Sequence, residues 1–212
     1  MIEVEDESGE NPFDIPPEQR EASLAFLYEH FSQALDRFEP RIESAVYCDE
    51  LAWVARSLME LELWIEYCDD PHRAQEFYQD GVREVFEIHR HRPIVDEATK
   101  TLEKAAEKFL TGDKRRDAPI YIKDAVKALG PERERYRKQN SDLLSKLVHP
   151  TAFSLMALSD PSSDSPIRGQ LIPFAKAAVA DARKGLREGY LGKVYDKFGP
   201  LLIAARQARV GT

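Results

Sequence analysis

The sequence predicts an all-α protein, a multi-helix bundle, and three observations support that prediction. Apolar residues recur at the three- and four-residue spacing of amphipathic helices through most of the 212 residues. No segment shows the sustained alternation of β-branched residues that is typical of strands. Proline and glycine interrupt the helical pattern at intervals that suit helices of globular proteins.

The interruptions divide the chain into nine predicted helices. The interrupting residues are Pro40, Pro71, Pro93, Gly112, Gly130 with Pro131, Pro150, the "SDPSSDSP" loop at 159–166, Gly189, and Gly199 with Pro200, the last pair lying within the final predicted helix. The predicted helices run over 17–38, 41–68, 72–91, 93–110, 118–129, 131–148, 151–158, 168–188 and 192–209, to within a few residues at each end.

The same pattern predicts the domain organisation. Residues 1–15 form an acidic arm before Pro16, with a composition typical of disorder, and 16–212 form a single helical bundle with a loop near 159–166. A chain of this length can bury a core without disulfides or metal. Cys48 and Cys68 belong to no CxxC pair, which indicates buried free thiols in a reducing compartment.

The net charge of -8 is unevenly distributed. Residues 1–18 contain seven acids and no base, whereas the region from Arg168 onwards has nine bases and three acids. These regions could attract each other, the basic region could meet phosphate, or both could be solvated surfaces. The chain has no leader-like start and no long apolar run, so a cytoplasmic protein without a membrane partner is expected.

The predicted helix at 41–68 is apolar nearly all round, which indicates a position at the centre of the bundle. Ile42, Val46, Trp53, Ser57, Glu60 and Trp64 share one of its faces at about 100° per residue. A carboxylate between two tryptophans needs a partner, and Arg56, at i−4, is the nearest candidate for Glu60. The pair could be structural, or it could belong to a polar pocket with shifted pKa values.

His149 is the histidine with the most unusual context. It lies in "SDLLSKLVHPTAFSLM", where Pro150 biases it towards an extended conformation at a helix junction. It could satisfy backbone groups there. Alternatively, Lys146 could bind phosphate while His149 exchanges protons, with Asn140 as a polar neighbour.

Other motifs predict little chemistry. Glu62 and Glu66 form an i,i+4 pair of like charge that is expected to be solvated, and "ERERYRK" at 132–138 is expected to be an exposed helical surface. Glu-x-x-His pairs, GxxxxGK[ST] and GxGxxG are absent from the sequence, so no cofactor or metal is predicted.

Two segments together resemble a known family. "RSLMELELWIEYC" at 56–68 followed by "SDLLSKLVHPTAFSL" at 141–155 is similar to an uncharacterised bacterial family of all-helical proteins. In that family an Arg-x-x-x-Glu element precedes a helix that ends in a Ser-Lys-x-x-His-Pro-like element. The family in turn is distantly similar to the HEPN superfamily of helical bundles, and the resemblance covers about Pro40 to Ser159.

The resemblance implies a setting in stress or phage defence, RNA as the target, and a homodimer. HEPN ribonucleases cleave RNA without metal through an Arg and a His separated by four to six residues. For His149 that Arg would stand at 142, 143 or 144, which are Asp, Leu and Leu, so the motif is not met. By analogy, His149, Arg56 and Glu60 are the catalytic candidates, and Lys146, Arg137 and Asn140 are the candidates for substrate binding.

Two functions are therefore expected as alternatives. One is a HEPN-like, RNA-directed protein, which if it is an enzyme is a metal-independent ribonuclease. The other is a non-catalytic dimeric interaction or scaffold protein, in which Arg56 and Glu60 are structural and the acidic arm or the basic C-terminal region contacts a protein partner.

Overall fold

A computed structural model describes residues 17–90, 119–149 and 166–210, in which every element is an α-helix. The helices are α1 (Pro17–Ser44), α2 (Cys48–Tyr67), α3 (Pro71–Arg90), α4 (Ile122–Leu129), α5 (Pro131–Val148), α6 (Pro166–Glu188) and α7 (Tyr190–Val210). The predicted all-α bundle is confirmed. The acidic arm, the helices predicted at 93–110 and 151–158, and residues 159–165 of the predicted loop lie outside the described residues.

The first helix does not end at Pro40 as predicted but continues through it to Ser44. Proline normally interrupts a helix because it lacks an N–H and crowds the preceding turn. Here the apolar spacing continues past it, with Leu35 and Ile42 both buried in the core. Pro40 itself is exposed, so burial on the opposite side of α1 outweighs the local preference.

The break between α1 and α2 falls at residues 45–47 instead. The Arg168 guanidinium donates a hydrogen bond to the Ala45 carbonyl across 2.6 Å, and so satisfies a carbonyl at the end of α1. Ile42 therefore belongs to α1, and Val46 belongs to the turn. The prediction that both lie on the same helix face as Trp53 is wrong.

Helix α2 is the centre of the bundle, as predicted, although it spans Cys48–Tyr67 and not 41–68. It packs against α1, α4, α5 and α6. Leu51, Leu58 and Leu63 are fully buried, and burial of each such side chain stabilises the fold by roughly 1.5–3 kcal/mol. The helix is not buried all round, because Trp53 is 41% exposed.

Cross-helix contacts give the directions of the neighbours. Contacts of Arg56 with Ser145 and of Glu62 with Arg133 make α5 antiparallel to α2. The Tyr190 backbone N–H donates to Asp69 Oδ1 across 2.7 Å, and Gly185 lies against Ile65, so α6 runs parallel to α2. Phe77 of α3 packs between Phe31 and Trp64, which joins α3 to α1 and α2.

Two tight turns involve glycine. Gly130 has φ of 104°, which an L side chain rarely adopts, and Pro131 then begins α5 as the sequence predicted. Between α6 and α7, a Cβ on Gly189 would lie 2.5 Å from the Gly185 carbonyl oxygen and 2.7 Å from Asp69 Oδ1. Only glycine fits there without a shift of its neighbours.

Much of the basic surface of α6 and α7 faces acids of α1. Arg183 pairs with Asp36 and Glu39, Lys176 pairs with Glu43, and Lys197 pairs with Glu21. Bases of the C-terminal region therefore form a charged seam along α1. Cys48 and Cys68 are buried free thiols, as predicted. Among the described helices none is long and apolar enough to cross a membrane.

Candidate functional site

The antiparallel packing of α2 and α5 joins the two segments that suggested a site. Arg56 Nη1 donates a hydrogen bond to Ser145 Oγ across 3.2 Å, although 89 residues separate them in sequence. Ser145 begins the "SKLVHP" segment, so Arg56 lies at the end of α5 that leads to His149. We call Arg56, Glu60, Ser145, Lys146 and His149 the α2–α5 site.

Arg56 is held within its own helix by the predicted partner. Its Nε lies 3.1 Å from Glu60 Oε1, and the two side chains are 31% and 30% exposed. The predicted ion pair is confirmed and is half-buried. Glu60 fixes the guanidinium on the side of α2 that faces Ser145, which leaves Arg56 accessible to solvent at one edge.

His149 caps the C-terminal end of α5. Its backbone is extended, with φ of −91° and ψ of 146°, and its N–H donates to the Ser145 carbonyl across 3.1 Å. Its side chain is exposed, as is that of Lys146. His149 is therefore not sealed under apolar side chains, and both residues can meet a ligand from solvent.

Arg137 and Asn140 lie further from this end of α5. Arg137 precedes Ser145 by eight residues, which is about 12 Å along the helix axis. Asn140 Nδ2 donates to the Tyr136 carbonyl across 2.8 Å and is occupied within its own helix. Arg137 Nε is buried and has no hydrogen-bond partner in the described part of the chain. The described contacts bring neither residue to Arg56.

A second polar cluster, which the sequence did not predict, lies at the other end of the α2–α5 interface. Glu62 is only 4% exposed, and it accepts a hydrogen bond from the Tyr136 hydroxyl across 3.0 Å. Arg133 Nη1 lies 3.1 Å from Glu62 and its Nε lies 2.6 Å from Glu66. We call Glu62, Glu66, Arg133 and Tyr136 the buried cluster.

The prediction that Glu62 and Glu66 are both solvated is therefore wrong for Glu62. On α2, Glu62 falls on the same three- and four-residue spacing as the buried Leu58 and Ala55. On α5, Arg133 and Tyr136 fall on the spacing that leads to the buried Leu144. This register was the available signal. It was missed because the charged residues of "ERERYRK" suggested exposure, whereas Arg133 and Tyr136 are half-buried.

The environment of the buried cluster shifts the pKa values of its members. Burial raises the pKa of the Glu62 carboxyl, and the nearby Asp181 adds to this, although the Tyr136 hydroxyl and Arg133 oppose it. Burial, followed by the adjacent Glu62 carboxylate, raises the pKa of Tyr136. Perturbed titration is one mark of a functional site. In this cluster Glu62 is partnered by Tyr136 and Arg133, whereas Glu66 Oε2 is buried and, despite its ion-pair contact with Arg133, makes no hydrogen bond within the described residues.

The cavities do not coincide with the predicted site. A cavity of about 440 Å³ adjoins the buried cluster and is lined by Glu62, Glu66, Arg133, Asp181 and Lys184 among others. A larger one of about 750 Å³ lies between α1 and α6, bordered by the charged seam. Neither is lined by Arg56 or His149. Within residues 17–90, 119–149 and 166–210, no group of three His, Cys, Asp or Glu side chains is arranged to hold a metal ion.

No protein-family model, curated protein or solved structure matches this chain. These comparisons therefore do not test the resemblance to HEPN-like proteins.

Proposed function

We propose that the protein is a HEPN-like, RNA-directed helical protein of stress or phage defence, acting through the α2–α5 site. The observation that supports this most is the Arg56–Ser145 hydrogen bond, because it joins the two segments on which the resemblance rests. A guanidinium held at the edge of a helix, beside an exposed lysine and histidine, suits an RNA phosphate.

In this proposal each residue has a distinct role. Arg56 and Lys146 bind phosphate, and Glu60 orients Arg56. His149 accepts the proton of the attacking ribose 2′-hydroxyl or returns a proton to the leaving 5′-oxygen. Cleavage without metal would give a 2′,3′-cyclic phosphate. The Arg-x4-6-His motif is not met in this chain, so in this proposal Arg56, from a different helix, supplies the positive charge beside His149.

The test measures RNA binding and cleavage by the purified chain without divalent metal. His149→Ala and Arg56→Lys are compared with wild type, and His72→Ala is the matched control because His72 is an exposed histidine on α3. Loss of cleavage in His149→Ala at an unchanged melting temperature supports catalysis by His149. Binding without cleavage leaves an RNA-binding protein, and the absence of both in wild type contradicts the proposal.

A second candidate is a non-catalytic dimeric interaction or scaffold protein. The observation in its favour is that large apolar side chains are exposed in the second half of α7. Leu201 is 65% exposed and Ile203 is 45% exposed, although a separation of two residues directs the two side chains to different sides of the helix. Such an apolar end is a typical protein contact surface. Light scattering after size exclusion tests it: a dimer that Leu201→Glu converts to a monomer supports this candidate.

A further inference from the structure

Leu201, on α7, is the most exposed large apolar side chain among the described residues, at 65%. The next residue, Leu202, packs against the hydrophobic core, so α7 stays on the bundle at this point although Pro200 lies within the helix. The exposure of Leu201 is therefore not that of a helix end that leaves the bundle. It depends on what lies beside α7 at this level.

The neighbour of α7 on this side is α1, and the two helices are antiparallel. Tyr28 of α1 stacks on Tyr195 of α7, with ring centroids 4.3 Å apart. Further along, Glu21 Oε2 of α1 lies 2.9 Å from Lys197 Nζ of α7. The residue number falls along α1 as it rises along α7, so the second half of α7 continues towards and past the first residue of α1.

Leu201 points towards the line that α1 follows. At about 100° per residue, it lies within the sector of α7 bounded by Tyr195 and Lys197, and both of these contact α1. It lies one turn, about 6 Å, beyond Lys197. On α1, Pro17 lies one turn before Glu21, so Leu201 is level with the first residue of α1. Leu201 is exposed because α1 begins there and gives it little cover.

The chain that precedes Pro17 continues from this point, and it is the end of the acidic arm. Its sequence "NPFDIP" at 11–16 contains two large apolar residues, Phe13 and Ile15. Ile15 precedes a proline, which favours extended backbone, and in an extended chain side chains two residues apart lie on the same side. Six extended residues reach about 20 Å, which is more than enough to bring both side chains to Leu201.

The charges of the two segments are complementary. The acidic arm, residues 1–15, contains six acids and no base, whereas the chain from Lys197 to the end contains three bases and no acid. Because α1 and α7 are antiparallel, the chain that precedes Pro17 starts out beside the basic half of α7, where opposite charges attract it. A second copy that placed its own α7 on this surface would bring bases against bases. The charges therefore favour the acidic arm as the occupant.

We propose that residues 11–16 dock on Leu201 of the same chain, with Phe13 and Ile15 against its side chain and the preceding acids along the basic half of α7. The inference does not depend on the RNA-directed function and goes beyond it. The docked arm covers the apolar surface that the dimeric alternative would use, so it acts as an intramolecular cover against self-association.

Disulfide trapping in the full chain tests this contact and leaves the three apolar side chains in place. Asn11→Cys is paired with Ala204→Cys, at an exposed position three residues beyond Leu201. The matched control pairs Asn11→Cys with Lys127→Cys, which is exposed on α4, a helix that packs against α2 and α5. Asn11→Cys alone shows any reaction with the buried native thiols. Mild oxidation at low protein concentration is followed on non-reducing gels.

The 11–204 pair is expected to close at least about tenfold faster than the control pair, because burial of one large apolar side chain gives a population ratio of that order. Phe13→Ser with Ile15→Ser, added to the 11–204 pair, should reduce its rate to that of the control, and so should Leu201→Ser. Equal rates for the two pairs at unchanged melting temperature, or a rate that the serine substitutions leave unchanged, overturn the proposal. A disulfide that joins two chains also overturns it and assigns Leu201 to a second copy.

Discussion

Glu62 shows how one buried carboxylate can be satisfied by two neighbouring helices. It is 4% exposed, yet it accepts from Tyr136 and pairs with Arg133. Removal of one partner of such a group is strongly destabilising, whereas replacement of the charge by a group of similar shape need not be. Glu62 therefore serves to fix α5 on α2, whatever the α2–α5 site does.

The pH dependence of stability tests this description of Glu62. Burial raises its folded pKa above the unfolded value, so the folded state binds the proton more tightly. The linked stabilisation is complete below the unfolded pKa and is lost as pH rises through the folded pKa. We expect the free energy of unfolding of wild type, relative to Glu62→Gln, to increase as pH is lowered from about 8 to about 5.

Urea unfolding of both proteins across this range is the measurement. Glu60→Gln is the control, because Glu60 is half-buried and belongs to a different ion pair. The difference in the free energy of unfolding between wild type and Glu62→Gln could instead be independent of pH or decrease towards acid pH. Either result would show that the fold does not raise the pKa of Glu62.

The cysteines give a second prediction at this scale. Cys68 is fully buried and its burial raises the pKa of the thiol, so little reactive thiolate forms. In Cys48→Ala, we expect the remaining Cys68 to react with Ellman's reagent on the native chain far more slowly than free cysteine does. Unfolding in urea should restore the full rate. Rapid reaction in the native protein would mean that the chain at the C-terminal end of α2 opens readily.

At the scale of the elements, the close turn between α6 and α7 depends on a missing Cβ. In Gly189→Ala the new atom would approach the Gly185 carbonyl oxygen and the Asp69 carboxylate that caps α7. We expect a loss of about 1–3 kcal/mol in the free energy of unfolding, the usual range for overpacking.

The matched control is Gly169→Ala in α6, where a Cβ would meet nothing within 4 Å. That substitution should stabilise the chain by about 0.5–1 kcal/mol, because alanine favours helix over glycine. Chemical denaturation of the two variants is the measurement. Equal effects of the same sign would show that contact at Gly189 does not determine the turn.

The elements also show how far the sequence determines such predictions. Helix α5 has its predicted bounds because Gly130 and Pro131 act locally, through a positive φ and a fixed φ. Pro40 was misread because its effect depends on what the rest of α1 buries. The Arg56–Glu60 pair follows from i,i+4 spacing, whereas the contact with Ser145 depends on tertiary packing that periodicity cannot give.

At the scale of the whole molecule, an apolar centre and a charged periphery hold the helices together in different ways. Helix α2 contributes fully buried leucines to the contacts with its neighbours. The seam between α1 and the helices α6 and α7 consists of exposed ion pairs such as Arg183 with Asp36. Exposed pairs contribute little to stability and are screened by salt, so the apolar centre should dominate.

Two substitutions compare these contributions directly. Leu58→Ala removes a fully buried side chain from α2 and should lower the free energy of unfolding by about 2–5 kcal/mol, because it loses apolar burial and leaves a cavity. Arg183→Ala removes the contacts with Asp36 and Glu39. Its effect should stay within about 1 kcal/mol and shrink further at high salt.

Urea unfolding is followed by far-ultraviolet circular dichroism, which reports all helices, and by tryptophan emission, which reports α2. Both tryptophans lie on α2, so coincident transitions are expected if the bundle unfolds as a single unit around that helix. If Arg183→Ala lowers the free energy of unfolding more than Leu58→Ala does, the charged seam contributes more to stability than the apolar centre. Separated transitions would show that part of the bundle unfolds independently of α2.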